Sequence, residues 1–453
     1  MQFSPISNIC DMSSTRTLHW FRNDLRLDDN PALSEALRGD ELLPVVILDD
    51  RFWGTDRWGH VKTGPHRTRF LLESVADLKK AIEELGGSLV IRQGLPEKIL
   101  PNLMKEWSCL TLTAQAEHTP EEMDIETAVA SAVRGVGGSC QWVEGHTLFH
   151  PDDLPMEIGD IPDIFTQFRK KVEKHSEVRE CIPAPVSLSC PNGLKSDELP
   201  SLNSILDRSG QTMPTADSRS VLPFKGGASE ARARLKHYFW DTKKLAVYKK
   251  TRNGLVGPDY SSKFSPWLAH GCISPRRIAS EVYRFEDRIE ANDSTYWLVF
   301  ELIWRDYFRF IAMKFGSRIF HGKALKPESP NRGTQKHPFE AWKEGRTKDA
   351  FVNANMRELA RTGFMSNRGR QNVASYLVHD LGIDWRLGAS WFEHCLLDYD
   401  PASNAGNWIY VAGVGNDPRP NRKFDTQRQA TMYDGDGKYQ TLWSSDALEL
   451  DIR

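Results

Sequence analysis

The sequence predicts an α/β domain built on a doubly wound parallel sheet, followed by an all-α domain. Two observations carry this reading. Short apolar runs alternate with amphipathic helical runs as far as residue 148, and beyond residue 224 only long helical patterns remain. A length of 453 residues suits two or three domains, each able to bury a core. The expected boundaries are 17–148 for the α/β unit, 149–224 for a connector and 225–445 for the helical unit.

In the first unit, TLHWF and LLPVVILD read as buried strands. RTRFLLESVADLKKAIEELGG is a helix with Leu71, Val75, Leu78, Ile82 and Leu85 on one face, stopped by Gly86. SLVIRQ, LPEKILPNLMKEW and CLTLTAQ repeat the cycle, and EEMDIETAVASAVRGVGG with CQWVEG closes it. Strands separated by helices of this length pair in parallel. The first turn, HWFRNDLRLDDNPAL, lacks G-x-G-x-x-G, so no dinucleotide is expected in the usual Rossmann place. The connector is rich in Pro and Ser (CIPAPVSLSCPNGLKSDELPSLNS) and holds one helix, DIFTQFRKKVEKH. Then come SEARARLKHYFWDTKK, STYWLVFELIWRDYFRFIAMKF and RQNVASYLVHDLG, all helical in pattern.

Composition narrows the class. An apolar fraction of 40% and a charged fraction of 26% describe an ordinary globular protein, and a net charge of −2 points to no partner by itself. No apolar run approaches the roughly 20 residues of a membrane span. Seven cysteines without a C-x-x-C pair suit neither a disulfide framework nor a metal site, which favours a reducing compartment. The opening MQFSPISNICDMSSTR is Ser-rich but lacks the amphipathic Arg pattern of a transit peptide. A soluble intracellular protein is expected, with cytosol, nucleus, chloroplast and mitochondrion all open.

Three polar clusters interrupt the apolar helical unit. Glu301 and Arg305 sit one turn apart in a helix that is apolar on nearly every face. They read either as an internal ion pair or as the wall of a polar ligand site beside Trp304. GFMSNRGRQN carries Asn367, Arg368 and Arg370. In GPDYSSKFSPWLAHGCISPR, Ser261, Ser262, Lys263 and Ser265 precede a helix, where free N–H groups favour phosphate. A fourth stretch, LLDYDPASNAGNW, has the D-x-D spacing of a calcium loop. Its sixth and twelfth positions are Ser403 and Ile409 rather than Gly and Glu, so that reading fails. A phosphate cradle, amide and guanidinium donors, an acidic loop and many aromatics together suggest one large flat ligand bearing a diphosphate. Trp385 and Trp408 lie in the bracketing motifs.

From Thr17 to Trp443 the chain resembles the cryptochrome/photolyase family. The resemblance rests on HWFRNDLRLDDNPAL, FELIWRDYFRF, ANMRELARTGFMSNRGRQNVASYLVHDLGIDW and LLDYDPASNAGNWIYVAGVGNDPR, and TGFMSNRGRQN with GVGNDPR is similar to the DASH branch. It implies FAD as cofactor, with Asp398 paired to Arg370, Asp400 facing the flavin and Asn404 beside its N5. Tyr248 and Ser261, Ser262, Lys263, Phe264 and Ser265 would take the diphosphate. Glu301 would lie by the adenine and substrate mouth, with Asn367 and Phe392 completing the pocket and Arg305 among the cofactor-binding residues.

The activity implied is that of a deoxyribodipyrimidine photo-lyase, with Trp408, Trp385, Glu301 and Asn404 as the functional residues. Trp408 and Trp385 match the inner and middle tryptophans of an electron chain whose outer member is Arg332 here. Trp304 would pack on a flipped dimer, with Tyr410 and Gln371 as a polar opposite wall and Arg252 and Arg368 nearby. That wall implies dimers in single-stranded or looped DNA. The basic run RARLKHYFWDTKKLAVYKKTR, with Arg361, Arg368, Arg419, Arg422 and Lys423, is expected to track phosphates. Glu117 fits the antenna position for 5,10-methenyltetrahydrofolate. A monomer is expected, and the alternative is a blue-light photoreceptor signalling through an unknown partner.

Overall fold

A computed structural model of the chain describes residues 15–326, 332–416 and 423–444. The basic residues Arg419 and Arg422 and the Ser-rich opening up to Ser14 lie outside the described residues. Five strands form one parallel sheet: β1 (Arg16–Phe21), β2 (Glu41–Leu48), β3 (Val90–Gln93), β4 (Thr111–Gln115) and β5 (Ser139–Val143). Their order is β3-β2-β1-β4-β5, with Leu18 opposite Leu43 and Leu112 fixing the central register. The order reverses direction at β1, which is the doubly wound arrangement.

The expected helices between the strands are present as Pro65–Glu84, Pro96–Glu106 and Pro120–Arg134. Gly86 follows the first of them at φ +81, a left-handed stop that a side chain would oppose. One face of the sheet (Leu18, Val45, Leu112) packs on Leu100, Leu103, Val129 and Val133. The other face (Phe21, Val46, Leu48) packs on Phe70, Val75 and Ile82 and runs on into the helical core.

The first turn, glycine-poor in sequence, is tied to the helical unit. Asp29 is fully buried and accepts from the Ser274 hydroxyl and the Arg276 guanidinium (2.7 Å), and Asp28 pairs with Arg277 (2.6 Å). A short helix, Pro31–Ala36, starts within this turn on the Asn30 cap. Its sequence, NPAL, gave no helical period, being too short for one. The connector holds the expected helix as Phe165–His175 and a second, Leu202–Arg208, which its Pro and Ser content masked.

The helical unit is organised around the 23-residue helix Asp293–Phe315, started by an Asn292 and Thr295 capping box. Two shorter helices, Asn367–Ser375 and Pro401–Val411, bring the remaining motifs against it. No helix among the described residues is long and apolar enough to cross a membrane, and the six described cysteines are unpaired.

Candidate functional site

The D-x-D stretch is a helix start and not a solvated loop. Asp400 caps helix Pro401–Val411, its Oδ1 accepting the Ser403 N–H at 2.7 Å. Pro401 supplies the fixed φ of the first helical position. Asp398, two residues earlier, receives the Arg370 Nη2 at both oxygens (3.0 and 2.7 Å). Arg370 is also held through Nε on the Met365 carbonyl (2.9 Å), so the expected pair is formed in a fixed pose.

These groups line a cleft of about 550 Å³, partly open to solvent, between helices Asn367–Ser375, Trp385–Cys395 and Pro401–Val411. Asn367, Arg370, Gln371, Phe392, Asp398, Asp400, Asn404 and Trp408 are all among its walls. Asn404 donates its amide to the Ala389 carbonyl (3.1 Å), which leaves Oδ1 as the group offered to a ligand N–H. Tyr399, Ser403 and Asn407 line the cleft too and were not singled out in sequence. Trp408 is 2% exposed and is met edge-on by Phe392 (5.1 Å). Helix Trp385–Cys395 passes so close that a Cβ at Gly388 would lie 2.2 Å from the Trp408 ring, so only glycine fits there.

The second cluster is a tight bend. Arg234 is buried behind it and donates to the carbonyls of Ser262 (3.0 Å), Ser261 (3.1 Å) and Pro258 (3.0 Å). With these carbonyls drawn inward, the backbone N–H groups of residues 261–265 have no protein acceptor among the described residues. Such unclaimed N–H groups suit an anion. Lys263 holds the left-handed corner at φ +57. Its Nζ does not extend to solvent. It donates to Pro258 O (2.9 Å) and lies 3.2 Å from the centre of the Tyr260 ring, and burial lowers it to about 6. The helix that follows, Ser265–Ala269, has only five residues.

Glu301 and Arg305 do not pair with each other, which removes the internal ion pair as their explanation. Glu301 accepts from Arg252 at 2.6 Å, beside the buried Tyr248, and burial raises its carboxyl despite that partner. Arg305 donates to the His146 carbonyl of the α/β unit (2.5 Å) and to Leu268 O (3.5 Å), and burial lowers it to about 10. Arg309, one turn further on, was missed although it repeats the same signal: a cation four residues on in an apolar helix. It is 3% exposed and its Nη2 bonds Asp400. Burial alone would raise the Asp400 carboxyl, but Arg309 and Arg305 overcome this and hold it below the usual range.

Trp304 meets Tyr410 edge-on at 6.1 Å, and neither is among the cleft's walls. Phe165 of the connector helix stacks flat upon it at 3.6 Å and 13°. One face of the expected substrate wall is therefore already covered, by a residue that the connector's composition gave no reason to mark. Arg368 bonds Gln371 (2.9 Å) and Asn253 (3.1 Å), and so fixes the polar opposite wall. In the basic run, Arg234 is interior and Arg252, Lys236 and Lys249 are paired to acids. Arg232, Lys243, Lys244 and Lys250 are exposed.

The tryptophan in ring contact with Trp408 is Trp342, at 6.4 Å. Trp385 is buried with its Nε1 near Gly322 O (3.4 Å). Arg332 is half-buried and donates to the Ala412 carbonyl (3.2 Å). Glu117, read as an antenna contact, is interior, accepting from His146 (2.7 Å) and Asn23 (3.1 Å).

Residues 17–187 match the DNA photolyase family and residues 297–451 match the FAD binding domain of DNA photolyase. The chain is 50% identical over 438 residues to Cryptochrome DASH of Danio rerio, covering 95% of this chain and 84% of that one. It is 47% identical over 439 residues to the chloroplastic/mitochondrial Cryptochrome DASH of Arabidopsis thaliana, covering 94% and 75%. The solved cryptochrome of Synechocystis sp. PCC6803 superposes with a TM-score of 0.90 at 45% identity, covering 95% of this chain and 89% of that one.

Proposed function

This chain belongs to the cryptochrome/photolyase family, in its DASH branch, and on that premise we propose that it repairs cyclobutane pyrimidine dimers in single-stranded or looped DNA under blue or near-UV light. The residues present fit FAD. The unclaimed N–H groups of 261–265 suit its diphosphate, and the cleft between Phe392, Trp408 and the Arg370–Asp398 pair suits a flat ring system. The chemistry that bound, reduced FAD supplies is light-driven donation of one electron to the dimer, with return of that electron once the cyclobutane has split.

The chain's own residues orient and exclude. Arg370, fixed by Asp398 and Met365, offers a stationary positive group at the cleft floor. Asn404 presents an acceptor oxygen, which stabilises a ligand nitrogen that carries a proton. Trp304 and Tyr410 offer ring surfaces, and Gln371, braced by Arg368, offers an amide to the edge of an extruded base. Glu301 stays with Arg252. A polar wall of this kind grips weakly, so the cost of extrusion decides the substrate. Unstacking in a duplex costs on the order of a few kcal/mol, whereas a single strand avoids most of it.

The observation that carries this reading is the common cleft of Arg370, Asp398, Asn404 and Trp408, with Gln371 in its wall. A 5,10-methenyltetrahydrofolate antenna on the α/β domain belongs to the same proposal, with the Glu117 carboxylate as its contact. So do a monomeric state and an intracellular location. The test is illumination of the reduced protein with thymine dimers in single-stranded and duplex oligomers. Repair confined to single strands supports the proposal. No repair in either sinks it and leaves a blue-light receptor.

A further inference from the structure

A single buried guanidinium joins the two domains at the cleft. Glu117 lies just past β4, its side chain 3% exposed. One oxygen takes His146 Nε2 (2.7 Å) and Asn23 Nδ2 (3.1 Å), and the other faces Arg309 Nη1 at 3.7 Å. Arg309, whose side chain is 4% exposed, bonds the Asp400 carboxylate through Nη2. Asp400 in turn caps helix Pro401–Val411, which carries Asn404 and Trp408 into the cleft. One cation is thus shared by two carboxylates from different domains.

We propose that Glu117 is a positioning residue of the cleft, acting through Arg309 to set the orientation and net charge of Asp400. The inference rests on the cleft being the flavin site.

Charge balance supports it. Arg305, half-buried, and Arg309, in the interior, lie one turn apart and repel each other. Arg305 touches only backbone carbonyls, at His146 and Leu268, so it neutralises neither carboxylate by contact. Asp306, on the same helix, is turned to the N–H groups of Leu148 and Phe149. His146 is held neutral at ordinary pH, because burial lowers it to about 4. Glu117 and Asp400 are therefore the two anions on Arg309, and removal of one makes the potential beside the cleft more positive. Sequence placed Glu117 with an antenna. The structure partners both of its oxygens inside the protein, one of them with Arg309 of the helical unit.

The test is redox titration of FAD-loaded protein against a reference dye, with Glu117→Gln, Glu117→Asp and Glu117→Gln in an Arg309→Met background. Loss of one unit charge ~10 Å from the cleft, at an effective dielectric constant of about 20, raises the reduced-to-oxidised ratio of bound FAD at fixed ambient potential by on the order of tenfold. Glu117→Asp, which keeps the charge, stays near the unsubstituted ratio. In the Arg309→Met background the Glu117→Gln shift shrinks to its direct through-space part. The proposal is overturned if Glu117→Gln alters only the Tm or only the uptake of 5,10-methenyltetrahydrofolate. It is equally overturned if the shift persists undiminished without Arg309. Should Arg309→Met fail to fold, equal shifts in Glu117→Gln and Glu117→Asp overturn it instead. An unsubstituted chain that takes up no FAD would mark failure of the flavin reading itself.

Discussion

Asp398→Asn isolates the ion pair at the cleft floor. The substitution keeps the shape of the side chain and removes its charge. Asp398 is 1% exposed as a side chain and Arg370 is 25% exposed, so the guanidinium loses a buried partner while retaining some water and its Met365 bond. Breaking a fully buried pair costs about 3–5 kcal/mol. The partial exposure of Arg370 reduces this to ~2–3 kcal/mol. For a helical unit of this size each kcal/mol moves the Tm by about 2–4 °C, so a fall of roughly 5–10 °C is expected by circular dichroism. If the pair also seats the cofactor, a loss of ~2 kcal/mol there weakens FAD binding about 30-fold, read by flavin fluorescence. Arg370→Lys keeps the positive charge but loses the two-point geometry, and should fall between. A lower Tm with unchanged FAD affinity would refute the seating argument and leave the pair as a strut between two helices. An unchanged Tm would mean that the pair does not form in solution.

Trp304→Ala should weaken binding of dimer-containing single strands by ~1–3 kcal/mol, while binding of undamaged strands changes little; equal losses on both would remove Trp304 as the lesion wall. Arg332→Trp should speed photoreduction of bound FAD under blue light, and an unchanged rate would direct attention to Trp342, which already touches Trp408. Glu358 is 1% exposed and burial raises it from 4.5 to about 7, opposed by Tyr439, Lys263 and Arg370. The folded state then holds a proton that the unfolded chain releases near 4.5, so this stabilisation is present at low pH and is lost as pH rises through about 7. Lys263, lowered to about 6, works in the opposite sense above that value. Glu358→Gln should accordingly flatten the fall in Tm with pH between about pH 5 and about pH 7, and an unaltered slope would refute the burial argument.

The α/β unit was legible in nearly every strand and helix, because buried parallel strands are continuous apolar runs and the intervening helices keep a clean period. Pro31–Ala36 was not, since six residues carry no period and its stability comes from the Asn30 cap and the packing of Leu33. In the site, Asp398, Arg370 and Asn404 were legible from their motifs, and their common cleft follows. Phe165 was not, because the stack with Trp304 joins residues 139 positions apart and leaves no local trace. The partners of Glu301 and Arg305 were illegible for the same reason. Spacing suggested each for the other, whereas tertiary packing gave Glu301 to Arg252 and Arg305 to a carbonyl of the other domain. Arg309 could have been found, as the next cation at the same spacing.

Helix Asp293–Phe315 shows why this spacing misled. Its sequence is apolar enough to be enclosed on all sides, yet Asp306 and Arg309 are interior and Arg305 is half-buried. An interior charge costs several kcal/mol unless another element answers it, and intrahelical pairs would have been the simplest answer. Here the principal partners come from elsewhere: Asp306 takes two N–H groups of the chain leaving the sheet, Arg305 takes the His146 carbonyl, and Arg309 bridges Asp400 and Glu117. Such partners exist only when both domains are docked, so the helix stabilises one relative placement of the two and disfavours others. A cleft whose capping carboxylate depends on that placement is complete only in the docked molecule. It follows that loosening the interface, as Asp306→Asn should do through Leu148 and Phe149, must weaken FAD binding although Asp306 is not among the cleft's walls. Retained affinity in that variant would show that the helical domain forms the cleft unaided.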